Sequence, residues 1–95
     1  MSAPCPMLGF MFTARFDDSV AEADADRFID ELIRLLEANG LMAGGGGDRT
    51  IEFAINREGG PATDADREMI LQWASQRRHV AAVEMSDLVD LNEIR

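Results

Sequence analysis

The chain has 95 residues, 46% of them hydrophobic, and a formal net charge of −9 from eighteen acids against nine arginines and no lysine. That length suits one domain, and that apolar fraction is too high for a disordered chain. The charge repels phosphate backbones on average and attracts basic proteins, and the absence of lysine excludes Schiff-base chemistry and the lysine of a P-loop.

The first seven residues, Met-Ser-Ala-Pro-Cys-Pro-Met, hold neither the basic nor the apolar stretch of a signal peptide. They are expected to form a flexible arm on a single domain spanning residues 1–95, with its ordered core over residues 8–91. From Leu8 to Phe16, Leu8, Phe10, Phe12, Ala14 and Phe16 alternate with Gly9, Met11, Thr13 and Arg15. That period of two predicts a half-buried strand with its aromatics toward the helices. Asp17, Asp18 and Ser19 end it. A helix is predicted over residues 18–39, with Ser19 and Glu22 as a capping box and Phe28, Ile29, Leu32, Ile33, Leu35 and Leu36 as its apolar stripe. Asn39-Gly40 is its C-terminal stop.

Leu41, Met42 and Ala43 suggest a short strand, and the four glycines at 44–47 with Asp48 suggest a loose turn. The next strand, residues 50–56, turns Ile51, Phe53 and Ile55 inward, and Gly59-Gly60-Pro61 breaks it. A second helix is predicted over residues 63–78, with Thr63 and Asp66 as a capping box and Met69, Ile70, Trp73 and Ala74 as its apolar stripe. Asp64 and Asp66 in its first turn, and Arg77 and Arg78 in its last, match the macrodipole. A short strand over residues 80–85 belongs at a sheet edge, and residues 86–95 form a tail gripping through Leu88, Val89 and Leu91.

The order β-α-β-β-α-β predicts an α+β fold, a ferredoxin-like two-layer sandwich. Its antiparallel sheet would have four strands, the first and third central, with both helices on one face. The other face would then show Met11, Thr13, Arg15, Thr50, Glu52, Ala54 and Asn56. A glutamate in mid-face, and aromatics pointing the other way, argue against an RNA-recognition module.

Catalytic chemistry finds no foothold. The glycine run lacks the helix N-terminus and the Lys-Ser/Thr pair that bind phosphate, so it reads as a turn. Glu22, Asp26 and Asp30 form one helical stripe, but Asp30 precedes Arg34 and Arg27 precedes Glu31 by four residues each, as on a solvated helix face. That stripe stays open to a basic partner. His79 and Cys5 are the only residues of their kinds, too few for a zinc site or a nucleophile–base pair. The six methionines read as core filler. No enzyme activity, cofactor or metal is expected, and no apolar run approaches the roughly 20 residues needed to span a bilayer.

One likeness remains. Leu8-Gly9-Phe10 with Phe16, then Asp26, Phe28, Ile29 and Glu31, open it. Leu41 before the glycines, Gly60, Thr63 and Trp73 continue it, and Ser86, Leu88, Val89 and Asp90 close it. Together these resemble the YggL family of 50S ribosome-binding proteins, over residues 8–91. The resemblance implies a cytoplasmic, non-catalytic protein on the large ribosomal subunit, with no catalytic residues to carry over. The family pattern places a Lys/Arg-rich stretch ahead of Leu-Gly-Phe, where this chain has Met1 to Met7 with no charged side chain. Some members also end in aromatic residues that this chain lacks. Contact with ribosomal RNA would then fall to Arg15, Arg49, Arg57, Arg77 and Arg78, while the acidic stripe faces basic ribosomal proteins. The alternative is a protein-interaction module that forms a homodimer, through the open sheet face around Met11, Thr13 and Ala54 or by adding a strand at an exposed edge. A small-ligand pocket between sheet and helices ranks last, and neither DNA nor a membrane is expected as a partner.

Overall fold

A computed structural model of the chain describes residues 8–47, 49–57 and 60–91. The expectations for the arm at residues 1–7, for Asp48 and Gly59, and for the end of the tail lie outside those residues. The elements are β1 (Leu8–Phe16), α1 (Glu22–Ala38), β2 (Leu41–Gly47), β3 (Thr50–Arg57), α2 (Asp64–Ser75), β4 (Val80–Met85) and β5 (Val89–Asp90). They make an α+β fold whose antiparallel sheet runs β2-β3-β1-β4, with β5 also paired to β1.

Alternation along the strands selects the core. Phe10, Phe12, Ala14 and Phe16 of β1 and Ile51, Phe53 and Ile55 of β3 are buried, with Phe28, Leu32 and Leu36 of α1 and Ile70 and Ala74 of α2 packed against them. The two helices touch through Phe28, whose ring meets Phe16 edge-on at 5.2 Å and Trp73 at 5.0 Å. The predicted central strands and inward faces are therefore those observed.

The sheet has five strands, not four. Residues 86–91 do not trail away: the Ser86 hydroxyl accepts from the Met11 amide at 2.8 Å, and the Ser86 amide donates to the Met11 carbonyl at 2.9 Å. Ser86 thereby bridges the gap between β4 and β5, which pairs Leu8 with Asp90 and Gly9 with Val89. At Gly9 the chains come so close that a Cβ would lie 2.2 Å from the Ile55 carbonyl oxygen and 2.6 Å from Leu91 Cδ1.

The glycine run is strand rather than turn. Gly44, Gly45, Gly46 and Gly47 pair with Ala54, Phe53, Glu52 and Ile51 in unbroken register. Gly45 and Gly47 have φ of +148° and +145°, and a Cβ there would meet the Glu52 or Thr50 carbonyl oxygen at 2.0 or 2.1 Å. Pairing with β3 satisfies backbone groups that a loop would leave to water, and that outweighs the low strand propensity of glycine.

Both helices differ from expectation at one end. Helix α1 begins at Glu22 with Ala21 as N-cap, so Ser19 caps nothing. The Ser19 hydroxyl and amide instead donate to Asp17 Oδ1 at 2.6 and 3.0 Å, closing a turn that delays the helix. Asp24 takes over, accepting from the Ala21 amide at 3.3 Å. Helix α2 carries the predicted box, with the Thr63 amide donating to Asp66 Oδ2 at 2.9 Å and the Asp66 amide to Thr63 Oγ1 at 3.2 Å. It stops at Ser75, leaving Arg77 and Arg78 beyond its last turn. From there Arg77 Nε still donates to the Trp73 carbonyl at 3.2 Å, satisfying one of the helix's orphan acceptors.

Candidate partner-binding surfaces

The five arginines singled out in the sequence do not converge. Arg15 is exposed on the open face of the sheet, one register step from Thr13, which pairs with Glu52 on one side and Glu84 on the other. Arg49, between β2 and β3, is exposed and pairs with Asp18 at 3.3 Å. Arg57 is committed to the fold: its guanidinium donates to the Asn39 carbonyl at 2.9 Å and to Asp66, tying the end of α1 to the start of α2. Only Arg77 and Arg78 come together.

Those two line a groove of about 240 Å³ between α1 and the segment joining α2 to β4, floored by Phe16, Phe28 and Val80. Arg27 and His79 stand on its rim, as do Asp24 and Glu31. Glu31 pairs with Arg77 at 3.5 Å rather than with Arg27 on its own helix. The Arg77 guanidinium also lies over the Trp73 ring, 4.9 Å from its centroid, where a cation is attracted to the π face. The His79 ring sits between Asp17, at 3.9 Å, and Asp24, at 3.5 Å. The Ser19 hydroxyl holds the Asp17 carboxyl below its usual value against the opposing effect of desolvation, with smaller help from the Ser19 amide and then His79. Arg27 belongs to this cluster, yet sequence spacing had assigned it to a helix pair. Its neighbours Arg77 and Arg78 are some fifty residues away, so only the packing of α1 on α2 reveals it.

The open face is a second surface. Met11, Thr13, Ala54 and Asn56 are half-buried there, while Arg15, Thr50 and Glu52 are exposed. Glu52 and Glu84 flank Thr13, so carboxylates bracket the centre of the face.

The third surface is the outer side of β2. Every residue from Met42 to Gly47 is exposed, and β2 has no neighbour beyond β3 among the described residues. At its Gly47 end opens a groove of about 270 Å³ toward α1, whose walls include Val20, Ala25 and Ile29, with Glu22, Asp26 and Arg49 at the rim. Sequence reading gives only Leu41, Met42 and Ala43 to this strand and the glycines to a turn, so it does not show that the edge continues to Gly47. Among the described residues no group of three His, Cys, Asp or Glu side chains is placed to hold a metal ion, and no helix is long and apolar enough to cross a membrane.

A family model described as YggL 50S ribosome-binding protein matches residues 6–92. No curated protein and no solved structure matches the chain.

Proposed function

The chain belongs to the YggL family of 50S ribosome-binding proteins, and we propose on that premise that it is a non-catalytic, cytoplasmic accessory protein of the large ribosomal subunit. The observation carrying this reading is the extent of the match, residues 6–92, which takes in every element of the fold. We read that fold as ferredoxin-like, with the strand order β2-β3-β1-β4 and the short β5 paired to the start of β1.

Several residues that carry the likeness are structural. Gly9 permits the close approach of β3 and Leu91, Thr63 caps α2, Trp73 packs on Phe28, and Ser86 joins β4 to β5. They account for a shared fold more than for a shared contact. Contact with the subunit therefore rests on the surfaces, where positive charge is sparse outside the groove lined by Arg27, Arg77 and Arg78. Self-association through the open face is the weaker reading, because it would desolvate Glu52 and Glu84 of both copies, with Arg15 and its image the compensating charge on that face among the described residues.

Sucrose-gradient sedimentation with purified 30S and 50S subunits, at low and near-physiological salt, tests the proposal. Co-migration with 50S and not with 30S is the expected result. Protein that stays at the top of the gradient at both salts would sink it.

A further inference from the structure

We infer that the outer edge of β2, together with the groove between that edge and α1, is a strand-addition site for an extended basic protein segment, supplied on the large subunit by a ribosomal protein. The site is read from this chain's own geometry, and only the source of the segment rests on the reading above.

The edge is open and undefended. Proteins blunt exposed edges with lysines, prolines, bulges or very short strands, because unpaired N–H and C=O groups recruit another strand. β2 is seven residues long, contains no charged residue and no proline, and keeps continuous register with β3 from Leu41 to Gly47. The far edge differs: β4 carries Glu84, its pairing with β1 is irregular at Arg15 and Phe16, and β5 follows it along β1.

The glycines sharpen the point. Close contact with β3 explains Gly45 and Gly47, but an added Cβ at Gly44 or Gly46 would meet nothing within 4 Å. This fold does not need glycine at either position. Bare backbone there leaves room for another backbone to approach, a use glycine has within strands.

The groove supplies side-chain recognition. An added strand directs alternate side chains toward α1. There Val20, Ala25 and Ile29 offer an apolar wall, and Ile33, one turn beyond Ile29, is 40% exposed. The rim carboxylates of Glu22 and Asp26 favour cationic neighbours, and Arg49 at the same rim is paired with Asp18. On the other face of β2, Glu52 stands opposite Gly46. A second copy of this chain, at −9, or an RNA strand would bring negative charge to this site. A strand of alternating basic and apolar residues complements it.

Three measurements test this. Amide exchange and chemical shifts are followed while the full chain is titrated with the probe acetyl-Arg-Val-Arg-Val-Arg-Val-amide. Slowed exchange at residues 42–47, with shifts at the Ile29 and Ile33 methyls, is expected; no response there, or an equal response to the Glu-Val counterpart, overturns the site. An Ile33→p-benzoylphenylalanine variant irradiated with purified 50S should crosslink to a ribosomal protein, and crosslinks to ribosomal RNA or to a second copy overturn the assignment. The double variant Asp26→Lys with Gly46→Lys, checked for unchanged melting, should lose about ten-fold or more in 50S co-sedimentation; undiminished binding overturns the proposal. If the probe binds β2 but the native chain never sediments with 50S, the site stands and the ribosomal source falls.

Discussion

Asp66 is the charged side chain that the described fold buries, and it is held from two directions. One carboxylate oxygen accepts from the Thr63 amide within the cap of α2, and the other accepts from Arg57 at the end of β3. Arg57 also reaches the Asn39 carbonyl, so one side chain fastens both helices to the sheet. Removing one partner of a largely buried ion pair strands the other. Arg57→Ala should therefore cost about 2–3 kcal/mol in a urea denaturation curve, somewhat below a fully buried pair because the arginine retains some solvent. Arg57→Lys should recover only part of that, since an ammonium lacks the planar fork that serves both acceptors. Arg77 and Arg78 remain in the cation groove, where Arg27 joins them.

The element that most departs from its sequence signal is β2. Glycine is a poor strand former in isolation, costing about 0.5–1 kcal/mol relative to alanine through backbone entropy. In this chain its positions alternate in demand. Gly45 and Gly47 hold φ values closed to other residues and sit against carbonyl oxygens of β3, whereas Gly44 and Gly46 face open space. Gly44→Ala and Gly46→Ala should be neutral or stabilising by up to about 1 kcal/mol, while Gly45→Ala and Gly47→Ala should each cost about 1–3 kcal/mol or more. Thermal melts of the four variants check that alternation, and equal effects at all four positions would contradict the register. The N-terminus of α1 teaches the same lesson in smaller form. Ser19 has the right identity and spacing for a cap, but Asp17 captures its hydroxyl first.

Across the whole molecule, acids outnumber arginines two to one, and several arginines are spent on internal ties. Arg67 pairs with Asp64 at 3.0 Å and Asp87 at 3.6 Å, and donates to the Ser86 carbonyl at 2.9 Å, which pins α2 to the β4–β5 connection. The remaining carboxylates repel one another and weaken the compact state. Raising salt from about 0.01 to 0.1 M shortens the Debye length from about 30 to 10 Å. The melting temperature should rise, by about 4–8 °C for each kcal/mol of repulsion screened. A fall would mean that ion pairs such as Arg77–Glu31 outweigh the repulsion. The same surplus of negative charge makes a basic protein segment a better partner than a phosphate backbone for any face outside the cation groove.

Periodicity and turn chemistry were enough, from sequence alone, to place β1, β3, β4 and the body of both helices, and to choose the buried face of each central strand. Those signals are local: Phe10, Phe12, Ile51 and Ile55 declare a side by their spacing, and Thr63 with Asp66 declares a helix start within four residues. The tertiary structure decided what local signals cannot carry. Whether four glycines become strand depends on the carbonyls of β3 beside them. Whether Arg57 is free depends on Asp66 and Asn39, and whether Arg27 meets Arg77 and Arg78 depends on α1 packing against α2. In each case a contact between two elements decides the outcome: Gly45 lies close in sequence to Glu52, and Arg57 is nine residues from Asp66, but the periodicity within one element does not report where the next one packs.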